Sequence, residues 1–296
     1  MADPQAPTGL ARRGRRLPEE ETERRMLRAG LAMVNRTGLT VSLEHISFED
    51  VIRDADVSRS SAYHRWPHKD LFFSDLVLEL ARNPVPGIVA DEIDMIRRII
   101  AGRLDRLTTP QSRHALVLEL FRQIAVLDFQ TLYSSPGWRT YLALHATLLS
   151  LADGGLRDPV QAALAQAEQG HLGRIARAWE LMAGLLGYRL RAESGVTFET
   201  LATLVNATMQ GLVMTALTVP GIAGHRAAAQ PFDAPEVGEW SLPALSLGAI
   251  ATAFLEPDPE VTWDASRTAA IRDALTSPDL GTQPPGDDDE PRTTDG

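Results

Sequence analysis

Two serines and one proline leave the segment 47–67 little conformational freedom. Ser47 and Ser58 each stand just before a short amphipathic run. A serine in that place can accept from the unpaired N–H groups of a helix's first turn. After Ser47, the residues Phe48, Val51, Ile52 and Ala55 follow at i, i+3, i+4 and i+7 and share one helical face. Asp50, three residues after Ser47, is a weak variant of the capping box. The second run, from Ser58 to about Trp66, stops at Pro67, because a residue before proline avoids the helical region. Between the runs lies the tight turn Ala55-Asp56-Val57. Helices this short do not persist alone in water, so the pattern predicts a packed helix-turn-helix. Val57, Ala62 and Trp66 then face inward, and Arg59, Ser60, Tyr63 and His64 face outward. Ser60 is the i, i+3 neighbour of Tyr63 and the i, i+4 neighbour of His64. Such a face suits a DNA major groove: Arg59 can pair with guanine or phosphate, and Tyr63 can donate its hydroxyl to a phosphate oxygen. On spacing alone the same residues also fit a solvated helical hairpin in an all-α domain.

Helical spacing extends through the rest of the chain. A first helix is predicted over 18–36, with Pro18 at N1, Glu19, Glu20 and Glu21 at its positive end, and Gly38 as C-terminal cap. Leu27, Leu31 and Val34 would form its buried stripe. A fourth helix starts near Lys69 and carries Leu71, Phe72, Leu76, Val77 and Leu80; the run Asn83-Pro84-Val85-Pro86-Gly87 reads as a linker. Further helices are predicted over 88–107, 112–132, 138–152 and 158–190, with Gly170 as a candidate break. The segment 197–219 is the clearest amphipathic stretch: Phe198, Leu201, Val205, Met209, Leu212 and Ala216 line one face, Thr197 caps it and Pro220-Gly221 ends it. Residues 221–241 read as a Gly/Pro/Ala-rich loop and 242–255 as another apolar helix. Beyond 257 the composition predicts disorder, apart from a short helix over 261–275. No internal repeat and no strand pair is evident.

The net charge of −10 argues against a polyanion as partner until its distribution is considered. Residues 1–83 hold 13 basic and 13 acidic side chains, residues 84–255 hold 13 and 15, and residues 256–296 hold 3 and 11. The tail therefore supplies most of the acidity, and a neutral head can bind phosphate where its cations cluster. Arg12, Arg13, Arg15 and Arg16 end a Pro/Gly/Arg-rich segment, which reads either as a solvated tail or as an arm on DNA phosphates or in a minor groove. Cysteine is absent, which excludes disulfides, thiolate metal sites and a cysteine nucleophile. The histidines show no metal-ligand spacing, and neither a phosphate-binding glycine loop nor a G-x-S-x-G motif occurs. No uninterrupted apolar run reaches the roughly 20 residues of a membrane span, and residues 1–18 lack the apolar core of a secretory signal. These features lead us to expect a cytoplasmic, non-enzymatic, all-α protein with no metal, cofactor or membrane partner.

The stretch from Ile46 to Leu71 carries a more specific pattern. Residues from about 22 to 78 resemble the DNA-binding domain of the TetR family of bacterial regulators. That pattern is a helix, an Ala-Gly-Val-Ser turn, a recognition helix ending in Tyr-x-x-Phe, and Lys-Asp/Glu-x-Leu opening the next helix. Ala55, Val57, Ser58, Tyr63, Lys69 and Asp70 match it. Asp56 stands where the family has glycine, at a position expected to need left-handed backbone. Ala62 replaces a larger aliphatic residue, and Trp66, in place of Phe, can fill the space.

The resemblance implies an N-terminal three-helix helix-turn-helix domain over 18–83 and an α-helical ligand-binding and dimerisation domain over 84–256. A basic arm (1–17) and an acidic tail (257–296) flank them. It implies DNA contacts from Ser47, Ser58, Arg59, Ser60, Ser61, Tyr63, His64, Arg65 and Lys69, with Tyr63 and Lys69 on phosphates; His68 is expected to be solvated. The implied partners are double-stranded DNA with a palindromic operator, a second copy of the chain, and a small-molecule effector. Candidate pocket residues are Phe121, Phe129, Trp138, Tyr141, His145, Trp179 and Met182. Candidate dimer residues are Leu201, Val205, Met209, Leu212, Ala216, Leu247, Ile250 and Phe254, which fit a buried intrachain core as well. The expected function is a homodimeric repressor released by its ligand. An activator, a ligand-independent regulator, and a small-molecule-binding protein or enzyme with a vestigial head remain open.

Overall fold

The computed structural model describes residues 18–38, 46–82, 90–104, 107–149, 151 and 153–276. The arginine cluster of the arm and the tail beyond 276 lie outside the described residues. Those described form twelve α-helices and four three-residue strands, an all-α fold. They divide into two compact units, residues 1–83 with 140–164, and residues 84–139 with 165–296. Residues 140–164 group with the first of these units; the expected linker 83–87 lies outside the described residues.

The first unit opens with α1 (Glu19–Thr37), α2 (Phe48–Asp54), α3 (Arg59–Arg65) and α4 (Lys69–Arg82). Pro18 is the N-cap of α1 rather than N1, and Gly38, at φ 83°, donates its N–H to the Val34 carbonyl. The buried stripe of α1 is Thr22, Met26, Gly30, Met33 and Val34, whereas Leu27 and Leu31 are half-buried. The predicted stripe is therefore rotated by about one residue. Gly30 supplies the reason: a Cβ there would stand 2.9 Å from Leu76 Cδ1 and 3.3 Å from Phe72 Cζ. Helix α1 turns this glycine toward α4, and the two pack closely.

Ser47 and Ser58 cap α2 and α3, accepting from the Asp50 and Ser61 N–H groups. Val51, Ala62, Trp66, Phe72 and Leu76 are fully buried. Phe72 is the hub of this core, with ring centroids 5.1 Å from Phe48 and 5.2 Å from Trp66. Asp56 has a φ of 51°, the left-handed backbone expected of the turn. An L side chain there carries strain that glycine lacks, partly offset by glycine's looser unfolded chain. Asp56→Gly is expected to raise stability by about 0.5 kcal/mol. A denaturant midpoint unchanged or lowered by the substitution would show that the Asp56 side chain compensates for its backbone.

In the second unit α5 (Ala90–Ala101), α6 (Pro110–Ser134), α9 (Phe198–Thr218) and α11 (Leu242–Phe254) surround a common core, with α6 packed on the other three. Ile100, Leu107, Leu116, Leu201, Ala251 and Ile271 are its best-buried members. Helices α7 (Pro136–Leu148) and α8 (Arg157–Leu185) contribute residues to both units. Gly170 does not break α8. The helix ends at Leu185 instead, and Gly187, at φ 69°, redirects the chain beneath Trp263; a Cβ at Gly187 would lie 2.8 Å from that ring.

The segment predicted as helix to 190 therefore becomes β1 (Tyr188–Leu190), antiparallel to β4 (Leu255–Pro257). The loop 221–241 likewise contains α10 (Gly221–Gly224) and the antiparallel pair β2 (Ala227–Ala229) and β3 (Gly238–Trp240). Three residues are too few to show a period of two, so these strands left no pattern to read. Residues 258–276, where a short helix over 261–275 was expected, also join the body. Trp263 lies between the guanidinium groups of Arg113 (4.4 Å) and Arg267 (5.3 Å). Arg267 also donates to the Gly184 and Leu185 carbonyls at the end of α8, groups with no partner inside their own helix. Helix α12 (Ala265–Thr276) then buries Ile271 and Leu275 and packs on α5.

Helix α9 is long and apolar enough to cross a membrane by length and composition, contrary to the run-based reading of the sequence. Its Leu201, Val205, Met209 and Ala216 are buried in this core, as is Leu247 of α11. Leu212, Ile250 and Phe254 are half-buried. The side chains assigned to a dimer face thus serve mainly as intrachain core, because their stripe is the one that meets α6 and α11. The exposed apolar residues of α9 are Leu204, Met214 and Leu217.

Candidate functional site

The exposed face of α3 is built by what lies beneath it. Val57, Ala62 and Trp66 point into the core, which leaves Arg59, Ser60, Tyr63 and His64 exposed. Tyr63 packs edge-on against Phe48 at 5.4 Å, so its ring is steadied while its hydroxyl stays at the surface. That hydroxyl donates to Glu49 Oε1 at 2.9 Å, and Arg59 Nη2 donates to the same oxygen at 2.7 Å. The Arg59 guanidinium also lies 5.8 Å from the Tyr63 ring centroid. Two donors suited to phosphate or a base edge are thus gathered on one carboxylate of α2. Glu49 was not anticipated; it lies fourteen residues from Tyr63 and nothing local marks it.

Lys69 and Ser47 are also exposed, and the Ser47 hydroxyl accepts from the Asp50 N–H at 3.3 Å. Three of the predicted contacts are built differently. Ser61 is buried, with its N–H and hydroxyl both on Ser58 Oγ, at 3.1 and 2.8 Å. Ser58 remains at the surface, but its hydroxyl is engaged by that cap and by Ser60 at 3.1 Å. Arg65 is half-buried and ties three helices together, at 2.9 Å from Glu23 of α1 and 3.3 Å from Asp75 of α4. It also lies 4.9 Å from the Trp66 ring centroid. These ion pairs raise its already high pKa, first through the Glu23 hydrogen bond. Arg65 holds the motif together rather than presenting a free cation.

The second unit encloses a cavity of about 160 Å³. Phe121 and Trp179 form one wall, stacked at 5.2 Å with 17° between their planes. Met182 also lines it, so three of the seven candidate pocket residues are present. Phe129, Trp138, Tyr141 and His145 do not line it. Phe129 is buried and stacks on Tyr133 at 5.7 Å, and Trp138 is likewise buried. Tyr141 and His145 fall in the first unit, where their rings meet at 4.3 Å and His145 Nδ1 lies 3.0 Å from the Tyr141 carbonyl oxygen. Burial lowers the His145 pKa. Val205, Met209 and Leu247, expected at a dimer face, line the cavity instead.

Five polar residues in the cavity wall were missed: Asp128, Thr131, His171, Tyr188 and Asn206. Burial alone pushes the Asp128 carboxyl up to about 6. Burial, followed by the charge of Arg174, pushes the His171 imidazole down to about 4, although a hydrogen bond to Asn206 opposes this. Asn206 Nδ2 donates to Glu168 Oε1 at 2.7 Å, and His171 Nδ1 is buried with no hydrogen-bond partner. A signal for two of these existed in the sequence. Ile124, Asp128 and Leu132 follow at i, i+4 and i+8, and Asn206 interrupts the stripe Ala202, Met209 and Val213. Each is a polar group on an otherwise apolar helix face, which is costly without a purpose or a partner. Among the described residues no three metal-binding side chains cluster.

No family model matches the chain, and no curated protein matches it. Among solved structures the chain is similar to SmeT in a complex with triclosan, at 19% identity and a TM-score of 0.38, over 82% of this chain and 99% of that one.

Proposed function

We propose that this chain is a sequence-specific DNA-binding transcriptional regulator, a homodimeric repressor released from a palindromic operator when a small molecule occupies the cavity of the second unit. The observation that carries the proposal is the exposed α3 face, with Arg59, Ser60, Tyr63 and His64 outward over a core of Val57, Ala62 and Trp66. The order of Ala55, Val57, Ser58, Tyr63, Lys69 and Asp70, which resembles the TetR family, supports it. In this reading α3 enters a major groove and Lys69 meets a phosphate. Leu204, Met214 and Leu217 of α9 supply apolar surface for the second copy. Two such heads would read half-sites about one helical turn, or 34–36 Å, apart. A ligand that prefers a conformation with mis-spaced heads weakens binding by its differential affinity for the two states.

Selection of bound DNA from a random pool, with ligand-free protein, tests the reading. The expected product is a palindrome with half-sites about one helical turn apart. No enrichment by protein shown to be folded, dimeric and empty would overturn it. Lys69→Ala is expected to lower the slope of log affinity against log salt by about one ion, since one phosphate contact is lost.

Glu49 makes a further prediction. Its carboxylate holds both Arg59 and Tyr63 in the free protein and competes with DNA for them. An exposed pair of this kind is weak. Glu49→Gln is therefore expected to tighten operator binding by no more than about fivefold. Unchanged or weaker binding in a titration on the selected operator would remove Glu49 as a competitor.

A further inference from the structure

The cavity has a one-sided chemistry. Its lining includes one carboxyl group, Asp128, and no arginine or lysine. The Asp128 carboxyl has no hydrogen-bonding or ionic partner among the described residues; burial is the sole influence on it. On the α9 side of the cavity, Asn206 donates from Nδ2 to Glu168 Oε1 of α8 at 2.7 Å. His171 is 8% exposed, and its Nδ1 is buried with no hydrogen-bond partner. The carboxylate left without a partner at the cavity is Asp128. The remaining ionisable groups around it are Tyr188 on β1, whose hydroxyl lies 3.4 Å from His114 Nδ1, and Glu168 and Arg174 on α8. The apolar part of the lining includes the flat Phe121–Trp179 pair and Met182.

We propose that the cavity selects a small aromatic amine in its protonated form, with the ammonium N–H on the Asp128 carboxylate and the ring among Phe121, Trp179 and Met182. The proposal rests on the reading of this cavity as the effector site. Size and charge both narrow the ligand. A buried apolar cavity of about 150 Å³ accommodates benzene, so about 160 Å³ suits a single ring with a short arm. A carboxylate or phosphate ligand would bring a second negative charge to Asp128 with no cation in the wall to receive it, an uncompensated buried charge. A neutral alcohol could donate to Asp128 but would leave the buried carboxylate without a counter-charge. Asp128 must be ionised to pair with an ammonium, so amine affinity falls as pH drops below about 6. His171, neutral down to about 4, adds no positive charge across that interval.

The test compares three ligands of one shape with the full-length protein by calorimetry: phenethylamine, phenethyl alcohol and hydrocinnamate. The expected order is amine, then alcohol, then carboxylate, with the amine preferred over the alcohol by about tenfold at pH 7.5. Asp128→Asn keeps the shape of the side chain and is expected to abolish that preference. Alcohol binding equal to or tighter than amine binding, or a preference that survives Asp128→Asn, overturns the amine proposal and leaves the cavity as a ligand site. Failure of all three ligands to bind the folded protein overturns the amine proposal together with the effector-site reading.

Discussion

Trp66→Ala is expected to cost the first unit about 3–5 kcal/mol, the range for deleting a large buried aromatic. The indole has no exposure. It packs against Phe72 at 5.2 Å, carries the Arg65 guanidinium at 4.9 Å, and donates from Nε1 to Asp75 Oδ2 at 2.8 Å. Alanine removes all three contacts and leaves a hole beside Ala62, too small a side chain to collapse into it. Domain stabilities are about 5–15 kcal/mol, so a loss of this size removes a large part of the total. Hydrogen exchange of the α3 amides should accelerate strongly, and operator binding should fail for lack of a formed head. Trp66→Phe retains the ring stack but not the N–H donor, so it should recover more than half of the loss. An alanine variant with α3 protection within threefold of the parent would mean that Trp66 is peripheral to the packing of the head.

The same residues show what the sequence could and could not reveal. Ser47, Ser58 and Pro67 act within a few residues of themselves, and the helices they delimit are where spacing placed them. Asp56 was legible as a left-handed position because its place in the turn, and not its packing, sets its φ. Burial across elements was less legible. The α1 stripe is turned by Gly30 meeting Leu76 and Phe72, more than forty residues away. Arg65 looked like a free cation because its partners Glu23 and Asp75 lie on two other helices. Both strand pairs are three residues long, and β1 and β4 come from segments more than sixty residues apart; nothing local marks the packing of Trp263 on Arg113. The apolar stripe of α9 was visible, yet no pattern of spacing says whether such a stripe meets its own core or a second copy. Asp128 was visible in the same way, as a carboxylate in an apolar row, without any sign that a cavity lay beside it.

Asp128→Asn is expected to stabilise the protein by about 2 kcal/mol at pH 7.5 and by almost nothing at pH 4. Its carboxyl titrates at about 6 in the fold against a usual 3.8. A raised carboxyl binds more protons in the folded than in the unfolded chain between those values, so stability declines as pH rises from about 4 to about 6 and stays low above. At one pKa unit per 1.36 kcal/mol the full penalty is about 3 kcal/mol; the cavity beside the group and its partial exposure reduce this to about 2. Below about pH 4 the carboxyl is neutral in both states, and asparagine has no advantage. Protonation of His171 destabilises the fold over a similar interval, since its pKa is lowered from 6.5 to about 4, but it does so equally in parent and variant and cancels in their difference. Urea unfolding of both proteins from pH 4 to 8 measures that difference directly. A gain that is constant with pH would place Asp128 in water and remove the basis for an ammonium partner. A gain that appears only above about pH 5 means that the chain holds a destabilising carboxylate at neutral pH, which a bound cation would relieve.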